Sequence, residues 1–462
     1  MVVVGGGIGG LTTAALLAAR GVKVCLFERQ SRPGGCIANF EHLGYAFEPT
    51  AGLYSGWEPN GIYERIFAGL PVAPPKVDLL SPSYVVRLPD RSEVAVSDNV
   101  DQFEDSLGSV FPECSEAAIA FYRKLDQIDL ATLDDSSASE PVAMLLHDCS
   151  LRFRRFIDVQ LQTFTQSDSE QCPLHQAAPA LVTPRRGMWA IRGGAEALAD
   201  TLAESLKASG AVRLNAPVLR LAYGADGSAT GVDLLSGERV TATRAIVSNL
   251  TVWDTYGKLI GLSRTPASIS KQLRQLHSWG AYLLFLSMDR AAAARLSSNR
   301  ILALTDWQEQ EDYSPDQAQF AFAAAPPWDS RAPDDKLAVT VSTFTEAEDW
   351  FAFHQDETAH EEQDQSTLKA VWARVHAAMP ELGDSVEVIE TATPRTFYEN
   401  TRRKLGMVGR PLGTNNVASL GGGVCRTIFP NVFLIGDTSC GGLGLAGVAQ
   451  GASALAASLT TR

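Results

Sequence analysis

Several things are scarce in this 462-residue chain, and each scarcity excludes something. Its seven cysteines (Cys25, Cys36, Cys114, Cys149, Cys172, Cys425 and Cys440) are scattered, odd in number and free of any Cys-x-x-Cys pair. That spacing excludes a disulfide framework and a zinc site, and predicts a reducing, cytoplasmic setting. Positive charge is in deficit: 39 Lys and Arg against 53 Asp and Glu leave a formal charge of −14, which repels phosphate backbones and excludes nucleic acid as a partner. Long apolar runs are also missing. The longest charge-free stretch, residues 438–461, holds five glycines and many alanines and serines, so it reads as a buried helix rather than a membrane span. The opening MVVVGGG enters a strand at once, which predicts no leader peptide. No Ser/His/Asp, Cys/His or metal constellation stands out. His354 and His360 lie six apart beside Glu361 and Glu362, away from the i, i+4 spacing of a zinc helix, and read as a solvated acidic face.

What is abundant is glycine, bunched near the two ends at Gly5–Gly10 and Gly441–Gly447. Around the first bunch the pattern reads strand (Met1–Val4), Gly-rich turn, Ala/Leu helix (Leu11–Arg20) and a second buried strand (Val22–Phe27). Residues 76–97 alternate between turn signals and predict β ribbons, and residues 100–185 read mainly helical. Residues 195–248 predict a helix and five short strands, a βαβ element with an inserted β-meander. An amphipathic helix is expected over 365–379, stopped by Pro380, and a strand over 431–435 leads to the last glycines. The sequon Asn249-Leu250-Thr251 reads as accidental.

Gly5-Gly6-Gly7-Ile8-Gly9-Gly10 is a Gly-x-Gly-x-x-Gly turn between strand and helix. Gly5 permits the turn, Gly7 lets backbone approach a pyrophosphate, and Gly10 lets helix pack on strand, while the helix N-terminus offers N–H donors to phosphate. Glu28 follows Gly10 by 18 positions, where an acid accepts hydrogen bonds from ribose hydroxyls. Arg32-Pro33-Gly34-Gly35 adds a glycine doublet that a nicotinamide site does not need. At the far end Gly436-Asp437 places a carboxylate beside the sugar-alcohol chain of a flavin, and the helix opening near Gly444 aims its N-terminus at the flavin pyrimidine edge.

On these residues the chain resembles the FAD-dependent phytoene desaturase, carotenoid isomerase and retinol saturase group of amine-oxidase-like flavoproteins, nearly from end to end. Gly5–Gly10, Glu28 and Gly34-Gly35 match the first FAD block. Gly44-Tyr45-Ala46-Phe47-Glu48 matches a Gly-Tyr-x-Phe-Asp stretch with Glu48 for the usual Asp, and Gly193-Gly194 matches the doublet on the substrate side of the flavin. Thr393-Pro394-Arg395-Thr396 matches a segment of the isomerase branch, and Gly406-Met407-Val408-Gly409 and Gly436-Asp437 complete the order. Cys36 stands where many relatives carry an Arg that pairs with the pyrophosphate, a departure shared with the isomerase-like branch.

The resemblance implies an α/β fold: a Rossmann-like, glutathione-reductase-type FAD-binding domain (1–75, 187–255 and 411–462) with an inserted α+β substrate domain (76–186 and 256–410). It implies FAD held by Gly5, Gly7, Ile8, Gly9, Gly10, Glu28, Arg29, Gly34, Gly35, Cys36, Val218, Gly436, Asp437, Gly444, Leu445 and Val448. The expected activity is desaturation or flavin-assisted isomerisation of a long apolar polyene such as a carotenoid. Trp189 and Arg192 are expected on the substrate side, with Glu48 as a flavin-side carboxylate. The expected partner is a lipophilic small molecule, with peripheral contact to a membrane allowed and oligomeric state left open. Aromatics such as Trp279, Tyr282, Trp350 and Phe353 are expected in the core, and the basic runs Arg152–Arg155 and Arg402–Lys404 on a solvated face. Two other readings stand beside this one, an oxidase of amines or amino acids and a flavin-free escort protein of the same fold.

Overall fold

The structure, a computed structural model, describes residues 1–128, 139–310, 312–352, 356–411, 425–439 and 444–460. Phe353, His354, Cys440 and the glycines at 441 and 442 lie outside the described residues.

Strand Val2–Val4 is entirely buried, as three consecutive valines require when both faces of a strand are covered. It pairs in parallel with Cys25–Phe27 on one side and Ile246–Ser248 on the other. Ala211–Arg213 and Val432–Leu434 extend the sheet at its two edges, again in parallel. Five strands spread over the sequence therefore build one sheet, in the order 432–434, 246–248, 2–4, 25–27, 211–213. Helices Ile8–Ala19, Ala195–Ser209 and Gly444–Thr460 share one apolar core on that sheet. Ile8–Ala19 is buried along almost its whole length, which its glycines, alanines and leucines allow. The meander Val218–Tyr223, Ala229–Leu234, Arg239–Thr241 packs as its own three-stranded antiparallel sheet.

The second lobe is built on a seven-stranded sheet, in the order 386–392, 280–289, 336–345, 319–324, 300–304, 84–87, 93–96. Helices Val100–Val110, Ser115–Asp126, Leu151–Thr165 and Leu174–Val182 share an apolar core with one part of it, among Phe103, Phe111, Phe153 and Phe156. Helix Glu357–Ala378 begins eight residues before the expected start at 365, because Asp356 caps it by accepting from the Ala359 N–H at 3.0 Å. Cys425 is disulfide-bonded, which corrects the expectation that the cysteines are unbridged. Sequence spacing carries no signal for a pair that only the fold brings together, so the reducing-compartment reading loses its support.

The lobes meet at a buried ionic hub. Glu48 accepts from the Ala195 N–H at 2.8 Å, capping the helix opened by Gly193-Gly194, and also accepts from the Tyr54 hydroxyl. Arg331 lies 3.5 Å from Glu48 and 2.8 Å from Asp329. The carbonyl of Glu48 accepts from Thr340 of the large sheet at 2.8 Å. Glu48 and Arg331 side chains are each 10% exposed, so removing either partner strands a buried charge. Glu48→Leu and Arg331→Met are each expected to lose about 3–5 kcal/mol of stability, read as a lower urea midpoint. Glu48→Gln, which can still cap the helix, should lose less.

Candidate functional site

The parallel sheet delivers its strand ends to one place. Gly5, Glu28, Asn249 and Ile435-Gly436-Asp437 each follow immediately on a strand, so a cleft opens at the carboxyl edge of the sheet. There the structure holds a cavity of about 790 Å³. Val218, Glu28 and Arg29 line it, as do the Gly5–Gly9 turn, Gly34-Gly35-Cys36, Gly436-Asp437 and Gly444-Leu445, and it continues to a wall of Thr163–Gln166, His175, Gln176 and Arg410.

Every expected cofactor-side residue except Gly10 lines this cavity: Gly5, Gly7, Ile8, Gly9, Glu28, Arg29, Gly34, Gly35, Cys36, Val218, Gly436, Asp437, Gly444, Leu445 and Val448. Gly10 lies behind the turn, where a methyl group on it would stand 2.2 Å from the Gly5 carbonyl oxygen. Gly7 is different in kind. Its φ of −75° suits any residue, and a methyl there would meet only the Asn249 side chain, 2.6 Å from Nδ2.

Glu28 is buried and its carboxylate is fixed by backbone, accepting from the Gly6 N–H and the Gln30 N–H, both at 2.7 Å. Each oxygen keeps a lone pair for a further donor. Asp437 (32% exposed) accepts a two-pronged contact from Arg403, Nη2 to Oδ2 at 2.8 Å and Nη1 to Oδ1 at 3.2 Å. Arg403 was expected on a solvated face, but its side chain is 12% exposed. Burial works against its charge and the Asp437 carboxylate outweighs that, holding the guanidinium above its ordinary value. Of its neighbours, Arg402 is exposed and stacks over Tyr398, while Lys404 is half-buried over Trp253. Burial pushes the Cys36 thiol up, partly offset by Arg403, so it stays a neutral lining group.

The three residues expected to do chemistry, Glu48, Trp189 and Arg192, do not line the cavity. Glu48 is committed to the hub described above. Trp189 sits in strand Met188–Ile191 with its ring against Gly187, and its backbone pairs with Tyr54. Arg192, 48% exposed, forks onto Asp78 at 2.7 and 2.8 Å and stacks over Trp328. Trp189 is thus held by strand pairing and Arg192 by an ion pair near the surface.

Sequence reasoning missed two residues of the cavity. Asn249, read only as an accidental sequon, has its amide against the positions where Gly7, Gly9 and Gly436 would carry side chains. Its place one residue past a buried strand in the parallel sheet was the available signal. Arg403 had none, since its partner lies 34 residues away.

The sequence pattern described as flavin containing amine oxidoreductase matches residues 8–448. A prolycopene isomerase of the chloroplast from Arabidopsis thaliana is 26% identical, over 97% of this chain and 80% of its own length. The human all-trans-retinol 13,14-reductase is also 26% identical, over 98% of this chain and 84% of its own. Among solved structures, an oxidoreductase from Methanosarcina mazei superposes with a TM-score of 0.73 at 16% identity, covering 98% of this chain and 99% of that one. The cavity fits the cofactor these findings imply, FAD. It is lined by the glycine-rich turn at the N-terminus of helix Ile8–Ala19, by the backbone-fixed carboxylate of Glu28 and by the carboxylate of Asp437.

The two glycines separate binding from folding. Gly7→Ala is expected to fold, with an apo-protein melting temperature within a few degrees of the parent, yet to purify with little flavin. Gly10→Ala is expected to lose both, because the atom it meets is backbone and cannot move aside. Thermal melts and the flavin-to-protein absorbance ratio read the two effects apart.

Proposed function

Since the chain belongs to the flavin-containing amine oxidoreductase family and is an FAD oxidoreductase, we propose that its substrate is a lipophilic polyene. The reaction is then removal or addition of hydrogen along that chain, or its cis–trans isomerisation. The observation that carries this reading is that relatives named for a polyene isomerase and a retinol reductase each align over nearly the whole chain.

The state of the acids supports it. Glu28, Asp254 and Asp437 line the cavity, and each is already engaged: Glu28 by backbone N–H groups, Asp254 by Lys258 at 2.7 Å, Asp437 by Arg403. Among the described lining residues no carboxylate is left without a partner, and an apolar substrate needs none. When bound, FAD supplies a two-electron acceptor or donor at its isoalloxazine ring. The chain's part is then placement. The Gly5–Gly10 turn and the N-terminus of helix Ile8–Ala19 present N–H groups to phosphate, Glu28 takes hydroxyl hydrogens, and Phe164, Pro179 and Leu53 add apolar wall. We assign segments 1–75, 187–255 and 411–462 to cofactor binding and 76–186 with 256–410 to the substrate, since the parallel strands fall in the first set and the seven-stranded sheet in the second. Among the described residues no helix is long and apolar enough to cross a membrane. Peripheral contact with one would suit an insoluble substrate.

Anaerobic incubation with phytoene, prolycopene and all-trans-retinol, with the flavin oxidised or pre-reduced, tests the proposal by chromatography of the products. Turnover of one polyene is expected. Conversion only with oxidised flavin marks desaturation, and only with reduced flavin isomerisation or saturation. Bleaching of the flavin by putrescine, with every polyene recovered unchanged, would sink the proposal.

A further inference from the structure

The cofactor assigned above carries a diphosphate, and this inference rests on that assignment. Backbone N–H groups and a helix N-terminus offer a diphosphate hydrogen bonds and a partial charge but no full positive charge. Five Lys or Arg side chains line the cavity among the described residues: Arg29, Lys258, Arg402, Arg403 and Arg410. Lys258 has two of its three N–H groups spent, on Asp254 at 2.7 Å and on the Arg402 carbonyl at 3.1 Å, and Arg402 is exposed and stacks over Tyr398. Arg29 donates to the carbonyl of Asn400 at 3.0 Å on the exposed side, and Arg410 belongs to the opposite end, where Cys172 is its charged-state neighbour.

Arg403 is left, and its placement is built. Thr393 caps helix Pro394–Thr401, and the chain then doubles back on that helix, so that Gly406 (φ +62°) lies where a Cβ would be 1.8 Å from the Pro394 carbonyl oxygen. The returning strand gives Arg403 Nε a partner, the Met407 carbonyl at 2.7 Å. With two further N–H groups on Asp437, three of the five guanidinium donors are engaged, and one on each terminal nitrogen stays open. Helix Pro394–Thr401, just before Arg403, packs against the turn Gly35–Ile37, and Arg403 lines the cavity together with Gly34, Gly35 and Cys36, which puts it near the glycine doublet.

We propose that Arg403 is the cation that receives the diphosphate of FAD, reaching it from the second lobe rather than from the sheet that holds the rest of the cofactor. Asp437 keeps the guanidinium in register while retaining lone pairs of its own. Binding of FAD thereby ties segment 394–407 to the Gly-rich turn.

The test uses flavin-stripped full-length protein, titrated with FAD and separately with riboflavin, which has the ring and sugar-alcohol chain but no phosphate. Flavin fluorescence reports affinity. Arg403→Ala is expected to weaken FAD by about 10–100-fold, in line with loss of a charge-assisted hydrogen bond, and to leave riboflavin unchanged. Arg403→Lys should recover part of the loss, and added KCl should weaken FAD less in Arg403→Ala than in the parent. Equal FAD affinity in parent and Arg403→Ala overturns the proposal. So does an equal loss for riboflavin, which would mean that Arg403 acts only by orienting Asp437. If Arg403→Ala does not fold, Arg403→Gln carries the same comparison. A parent protein that takes up neither flavin overturns the FAD assignment itself, a separate failure.

Discussion

One close approach governs the cavity, that of the Gly10 α-carbon to the carbonyl oxygen of Gly5. A side chain at Gly10 would push helix Ile8–Ala19 off the end of strand Val2–Val4, and with it the N-terminus that faces the carboxyl edge of the sheet. Everything else at the site is placed relative to that turn. Glu28 bonds the Gly6 N–H, the Gly34 N–H bonds the carbonyl of Gly6, and the Asn249 amide lies against the α-carbons of Gly7 and Gly9. A backbone contact of this kind tolerates no substitution, whereas the contacts around it are made by side chains that can adjust.

Charge is handled differently in the two regions of the molecule. At the lobe junction Glu48, Arg331 and Asp329 are sealed together, a buried arrangement that is costly to break from one side. In the cavity Arg403 and Asp437 are also paired, but Asp437 keeps some exposure and both keep spare hydrogen-bonding capacity. The first pairing holds the lobes. The second is able to accept a ligand without stranding either charge.

The sequence reported backbone requirements well and side-chain partnerships poorly. Gly5, Gly7, Gly34-Gly35 and Gly436 announce themselves because glycine is required where chain meets chain, and the short apolar runs around them mark buried parallel strands. The helices of the second lobe were legible from the spacing of Phe103, Leu107 and Phe111 and of Ala118, Phe121 and Leu125. Trp189 and Arg192 show the limit of such reading: nearness in sequence to a doublet does not bring a side chain to the cavity wall. Glu48 was taken as chemical because of the position it occupies, and in the fold its carboxylate caps a helix. Arg403 and the bridged Cys425 depend on partners that only the folded chain brings near, so no local pattern could have marked them.

The strand order has a consequence for how the protein is made. Helix Ile8–Ala19 precedes helix Gly444–Thr460 by several hundred residues, and its apolar length is covered in the finished molecule partly by that later helix. The sheet edge at 432–434 likewise follows strand Val2–Val4 by several hundred residues. During translation the amino-terminal unit must therefore wait, with apolar surface uncovered, for several hundred residues to follow. A flavin arriving early would find half a binding site, so the cofactor cleft is complete only once the segment through Val448 has been made.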